Sequence, residues 1–87
     1  MQANHDKIKK LLLTAKGQMD GLIKMVDEDR YCVDISNQLS ATAAILKTAN
    51  REVLAAHMKG CVVEACESGD IDEKIAEITR LLDKWMK

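Results

Sequence analysis

Residues 32–60, CVDISNQLSATAAILKTANREVLAAHMKG, decide the fold. Within them Cys32, Ile35, Leu39, Thr42, Leu46, Ala49, Val53, Ala56 and Gly60 recur three and four residues apart in alternation, with no proline anywhere. A 3.5-residue spacing of this kind is the seam of a helix packed lengthwise against another helix. The one hydroxyl on the seam, Thr42, still offers a methyl group for packing. Small residues crowd the stretch (Ser40, Ala41, Ala43, Ala44, Ala49, Ala55, Ala56) and let a neighbouring helix approach closely, while Ile45 and Leu46 widen the apolar stripe beyond a single seam. One partner helix cannot cover that stripe.

Working outward, Ile8, Leu12, Ala15, Met19, Leu22 and Val26 repeat the same spacing and predict a first helix from about residue 6 to 28, ended by the acid-rich turn Asp27-Glu28-Asp29-Arg30. Downstream, Ser68-Gly69 supplies a stop for a second helix of nearly thirty residues. Asp70 with Glu73 then makes a capping-box-like start for a third helix along Ile71, Ile75, Ile78, Leu82 and Trp85. The expected architecture is all-α: a three-helix protomer of two long antiparallel helices and a short third, whose leftover apolar surface is buried against copies of itself. No internal repeat, low-complexity segment or linker divides the chain.

Its 87 residues allow one domain, spanning residues 1–87. Hydrophobic residues at 47% and charged residues at 31% exclude a disordered chain, and two aromatics leave a core of Leu, Ile, Val, Met and Ala. A chain this short buries only about 60 to 65% of its unfolded surface alone, so further stability is expected from a staple, a metal or other subunits. No apolar run approaches the ~18 residues of a membrane span. The opening MQANHDKIKK carries charge without a following apolar stretch, so a soluble cytoplasmic protein without a membrane partner is expected. Net charge is −1, from 13 Lys and Arg against 14 Asp and Glu, but basic residues gather between residues 7 and 24 and acids between 64 and 83. A polyanion would approach the first helix.

Three cysteines cannot pair evenly, and in a reducing compartment they are expected to be metal ligands or reactive thiols. His57 and Cys61 lie four apart, one helical turn, which lets two side chains share one ion. Cys32 is separated from Cys61 by ~40 Å if the helix is continuous, so the three cannot meet within one subunit. An antiparallel second subunit would place Cys32 of one chain beside His57 and Cys61 of the other, giving two equal sites per dimer. Two thiolates and one imidazole are soft donors that fit Cu(I) best; Zn(II) would need a fourth ligand, and Mg or Ca is excluded. Cys66, five residues past Cys61, lies off that face and is read as a non-ligand thiol. His5 is expected to be solvated in a frayed terminus.

GQMDGLIKMVDEDRYCVDISNQLSA (17–41), followed by ANREVLAAHMKGCV (49–62), resembles the copper-sensitive operon repressor family over about residues 6 to 83, with the Cys…His-x-x-x-Cys set as the most specific part. The resemblance implies antiparallel dimers assembled into a flat, disc-like homotetramer. It also implies a trigonal Cu(I) site of Cys32 and, across the interface, His57 and Cys61, with Tyr31 and Glu77 as hydrogen-bonding partners around the histidine. From composition alone Tyr31 reads as a packing residue at a helix start and Glu77 as a solvated acid. Within the family resemblance, a nickel/cobalt sensor would carry His where Cys61 stands, a persulfide sensor would lack His57, and a formaldehyde sensor would lack the second thiol. Copper is therefore the favoured effector, with persulfide chemistry through Cys32 and Cys61 as the alternative.

No helix-turn-helix, zinc finger or aromatic stacking motif appears, so binding to double-stranded operator DNA would rest on phosphate contacts and shape. Its candidate patch is Lys9, Lys10 and Lys16 with Lys47 and Arg51, each of which also reads as an ordinary solvated charge. Family members resemble RLKRIEGQ where this chain has LLLTAKGQ, so basic residues are missing at Leu11, Leu13 and Thr14, while Lys16 stands where the family tends to carry an acid; Arg51 matches. The implied mechanism is negative coupling: apo protein holds DNA, and Cu(I) binding weakens that hold. Gly60 either weakens the helix where metal closure would bend it or permits close packing. A passive copper buffer would share the ligands without DNA release. A thiol enzyme using Cys61 and His57 lacks a third orienting group and an oxyanion loop.

Overall fold

The computed structural model describes residues 1–69 and 71–86, with Trp85 and Met86 described by backbone alone. Three helices follow one another, α1 (His5–Asp27), α2 (Cys32–Ser68) and α3 (Ile71–Met86), and no strand occurs among the described residues. No helix among them is long and apolar enough to cross a membrane. The described residues divide into two compact units, Asn4–Glu52 and Met1–Ala3 with Val53–Lys87, so α2 contributes to both.

Local chemistry sets the helix ends. The Asn4 side chain accepts a hydrogen bond from the Lys7 amide at 3.1 Å and caps α1, so the helix begins at His5. His5, expected in a frayed end, is thus the first helical residue, exposed to solvent. At the other end the Asp29 amide donates to the Val26 carbonyl and the Arg30 amide to that of Met25, a Schellman closure. Asp29 takes the left-handed φ of 53° that this closure requires, a conformation Asp tolerates better than most residues. Gly69 does the same after α2, with φ 74° and its amide bonded to the Ala65 carbonyl. As the Ser68-Gly69 stop predicts, α2 ends there, but it is longer than the seam alone suggested. Asp70 of the capping box and Trp85 of the third stripe lie outside the residues whose side chains are described.

In the unit Asn4–Glu52, α1 and the first part of α2 form an antiparallel hairpin. Its two polar cross-links fix the direction: Lys7 Nζ meets Glu52 Oε1 at 3.1 Å, and Thr42 Oγ1 lies 2.8 Å from Gln18 Oε1. Thr42 also lies 3.1 Å from the Gln38 carbonyl. A hydroxyl has one proton, so it serves one of these acceptors at a time unless the Gln18 amide turns its NH2 toward it. Either way the only buried polar side chain among the described residues is satisfied.

The seam divides by sevens. Ile8, Ala15 and Leu22 are buried, as are Thr42 and Ala49, whereas Leu12, Met19 and Val26 on α1 and Leu39 and Leu46 on α2 remain exposed. Within the hairpin, then, only every second seam position is covered. Met19, Ile23 and Val26 face Leu39, Ala43 and Leu46 across an open apolar groove. In the other unit Cys61 and Ala65 of α2 are buried, and Lys74, Glu77, Ile78 and Leu81 are the half-buried face of α3. Ile71 and Ile75, placed by the sequence reading on the packing stripe, are more than half exposed.

Candidate metal centre

Three residues converge in the unit that contains α3. His57, Cys61 and Glu77 each offer a ligand atom, and these atoms lie within 4.8 Å of one another. His57 and Cys61 share a face of α2 because they are one turn apart, and α3 delivers Glu77 to the same place. His57 Nε2 lies 2.9 Å from Glu77 Oε1. An ionised carboxylate can only accept, so Nε2 carries a proton and donates it, and a metal would take the ring through the lone pair of Nδ1. A carboxylate behind a ligating imidazole orients the ring and raises its basicity.

The electrostatics agree with that assignment. The hydrogen bond from His57 is the largest influence on Glu77 and holds its carboxyl below the usual carboxylate range, with Lys74 acting in the same sense. Burial pushes the Cys61 thiol up, the Glu77 charge and a hydrogen bond to Glu77 push it further, and Lys74 opposes them. Cys61, only 4% exposed, therefore keeps its proton at neutral pH without a cation. A soft metal ion would displace that proton and take the thiolate. The thiol and the imidazole nitrogen suit a soft monovalent ion; with the Glu77 oxygen as a third donor the same cluster would offer the mixed donors that a borderline divalent ion accepts.

Cys32 opens α2 in the other unit and is exposed, outside the His57–Cys61–Glu77 cluster. Tyr31, in the same unit, is 66% exposed, and its carbonyl accepts from the amides of Asp34 and Ile35 at the start of α2. Cys66 is exposed on an apolar groove with Val62, Ala65 and Ile75 and takes no part in the cluster. Lys9, Lys10, Lys16, Lys47 and Arg51 are all exposed in the hairpin unit, with no ion pair among the described residues. Thr14, at one position where the resemblance implies a basic residue, turns its hydroxyl back to the Lys10 carbonyl at 2.9 Å.

The sequence reading missed one residue near the centre. Lys74 Nζ lies 2.8 Å from Glu64 Oε2 and 3.8 Å from Glu77 Oε2. Its spacing of three from Glu77 was the available signal, since it puts both side chains on one face of α3.

The family model described as metal-sensitive transcriptional repressor matches residues 4–84. The chain is 39% identical over 82 residues to the copper-sensing transcriptional repressor CsoR of Bacillus subtilis (strain 168), covering 94% of this chain and 81% of that one. Mycobacterial relatives of the same description are longer, and this chain spans just over half their length. Among solved structures, the nickel-responsive transcriptional regulator InrS superposes with a TM-score of 0.88 at 29% identity, over 98% of this chain and 96% of that one. The Cu(I) form of the copper-sensing repressor CsoR from Geobacillus thermodenitrificans NG80-2 superposes with a TM-score of 0.82 at 33% identity, over 94% and 85%. Relatives that answer to different metals share this backbone, so the choice of metal falls to the donor atoms.

Proposed function

The chain belongs to the metal-sensitive transcriptional repressors, and from that membership we propose that it is a Cu(I)-responsive repressor, holding operator DNA as apo protein and releasing it when copper binds. Its family is one of repressors and not of enzymes, which sets aside the thiol-enzyme reading. The observation that carries the metal assignment is the convergence of His57 with the buried Cys61 in one cluster, the ring being held by Glu77 through Nε2.

In this reading Cys32 from a partner subunit completes a set of two thiolates and one imidazole, and Cu(I), when bound, supplies a soft centre that favours those three donors over oxygen. Cys61 gives up its proton on loading. His57 is kept by Glu77 in the tautomer that presents Nδ1. Tyr31, one residue before Cys32, would arrive with the partner's strand of the site. The protein acts as one functional domain in the cytoplasm, an antiparallel dimer paired into a disc-like tetramer. Lys9, Lys10, Lys16, Lys47 and Arg51 form the DNA-facing patch, repeated by symmetry. The half-covered seam of the hairpin supports such assembly, because exposed leucines and methionines at heptad spacing are left for another copy.

A DNA-binding titration with a duplex upstream of copper-export genes, with and without saturating Cu(I), tests the proposal. Apo protein is expected to bind, with affinity falling steeply as salt rises, and copper is expected to weaken binding at least fivefold. Unchanged affinity with copper would leave a copper buffer; a response to persulfide in place of copper would favour the thiol-sensing alternative.

A further inference from the structure

We propose that Lys74 is a positioning residue of the metal centre: paired with Glu64 across the α2–α3 contact, it holds α3 in the register at which Glu77 reaches His57. The consequence for DNA release rests on the repressor reading above; the geometric claim does not.

His57, Cys61 and Glu64 stand four and three residues apart on α2 and so share one face, while Lys74 and Glu77 are three apart on α3. The pairs His57–Glu77 and Glu64–Lys74 are therefore two rungs between antiparallel helices, and Cys61 sits between them along α2. Both rungs are short, 2.9 and 2.8 Å, within charge-assisted hydrogen-bond range. The Lys74 side chain reaches α2 and is only 23% exposed, unlike the solvated lysines of α1. Apolar contact alone does little to fix the register here. Ile71 and Ile75 line a groove with Val62 and Ala65 of α2 but stay more than half exposed, and Ile78 and Leu81 are the half-buried apolar residues of α3 among the described side chains. Such partly open apolar contact is non-directional and leaves rotation and slide to be chosen by directional hydrogen bonds. The polar rungs make that choice.

A simpler role for Lys74 would be direct counter-charge to Glu77. The distances show both contacts: Lys74 lies 3.8 Å from Glu77, an ion pair beyond hydrogen-bond range, and 2.8 Å from Glu64, within it. Lys74 thus adds to its charge near Glu77 a hydrogen bond to Glu64 that ties α3 to α2, and the variants below tell the two apart.

The test uses the full chain with Lys74→Met, Glu64→Gln and the double variant, checked for helicity by circular dichroism. In apo protein without DNA, long-range 1H–15N NMR should show the Nε2-protonated His57 ring in the wild type and its loss or broadening in all three variants. With DNA, the copper-induced change in dissociation constant should shrink about three- to tenfold in each. The double variant should be no worse than either single one, since a pair lost once cannot be lost again. Loss in Lys74→Met with wild-type behaviour in Glu64→Gln would overturn the pairing in favour of direct counter-charge, and wild-type behaviour in both would overturn any role. Glu64 is the more exposed partner, so Glu64→Gln decides the matter even if Lys74→Met does not fold. A wild type that shows the His57 signal but no copper-dependent release would sink the repressor reading and leave the Lys74 assignment to the NMR arm.

Discussion

The open groove of the hairpin makes a quantitative demand on assembly. Leu39 is 54% exposed and Leu46 44%, although both sit on the seam of α2. Fully burying a leucine contributes roughly 1.5–3 kcal/mol, so about half of that, ~1 kcal/mol, is left at each position for a second copy to supply. A two-fold interface uses each position twice. Leu39→Ala with Leu46→Ala should then weaken a dimer by ~4 kcal/mol, or about three orders of magnitude in its dissociation constant. Neither leucine is among the side chains buried inside the hairpin, so the folded protomer should lose little helicity. Sedimentation equilibrium over a wide concentration range measures the shift directly. A change of less than about tenfold would mean that the groove is not the interface, and a wild type that sediments as a 9.7 kDa monomer at micromolar concentration would remove the shared site altogether. The double variant should also lose tight Cu(I) binding when dissociated, because each chain keeps His57 and Cys61 but no longer receives a partner's Cys32.

Cys32→Ala, His57→Ala and Cys61→Ala should each abolish high-affinity Cu(I) binding in a competition assay with a colorimetric chelator, while Cys66→Ala should retain one ion per chain; equal losses from Cys66→Ala and Cys61→Ala would overturn the ligand assignment. Stability of the apo protein should fall at both ends of the pH range. The raised Cys61 thiol keeps its proton longer in the folded chain than in the unfolded one, so its stabilisation is lost as pH rises past about 8.5. The depressed Glu77 carboxyl contributes stability above about pH 4.3 that is lost on further acidification. Urea titrations of Cys61→Ala and Glu77→Gln should flatten the alkaline and acid limbs respectively, and an unchanged limb refutes its assignment. Gly60→Ala should stabilise the apo protein by ~0.5–1 kcal/mol through helix propensity, because the new Cβ would meet the Gln2 side chain at 3.2 Å and that exposed end can give way; a lower melting temperature would show that the Gln2 contact is fixed.

The fold was legible because α2 and α1 both carry a regular 3.5-residue seam and because Gly69 marks a left-handed stop. Less legible was how much of each seam one protomer covers. Spacing says that Leu12, Leu39 and Leu46 belong on a packing face; it does not say whose. The structure answers with the alternation by sevens, in which Ile8, Ala15, Leu22, Thr42 and Ala49 are covered and the intervening leucines are not. How far one protomer covers the stripe of helix 3 was hidden for a related reason. Its isoleucines form the stronger apolar pattern, yet Lys74 and Glu77 take the half-buried positions beside Ile78 and Leu81, because their hydrogen bonds to α2 replace water and make polar groups acceptable there.

That exchange of apolar for polar contact is also the physical link between the fold and the proposed response. If α3 were held by isoleucines alone, its position would not depend on what His57 binds. Held through Glu77, it would report on the ring: whatever reorients His57 would pull on Glu77, and in the proposal above the Lys74–Glu64 rung decides whether the pull moves the helix or only the side chain. Signals pass between sites only where a ligand favours one of two arrangements, and here the arrangement is defined by two hydrogen-bonded rungs on either side of a buried thiol. The lysines proposed to face DNA lie on α1 and α2, and α2 is the one helix that contributes to both units. Gly60, one residue before Cys61, is where α2 is easiest to bend, and Gly60→Ala therefore bears on the response as well as on stability: a stiffer helix at that point should reduce the copper-induced change in DNA affinity if bending there carries the signal, and an unchanged response would assign the signal to α3 and the rungs.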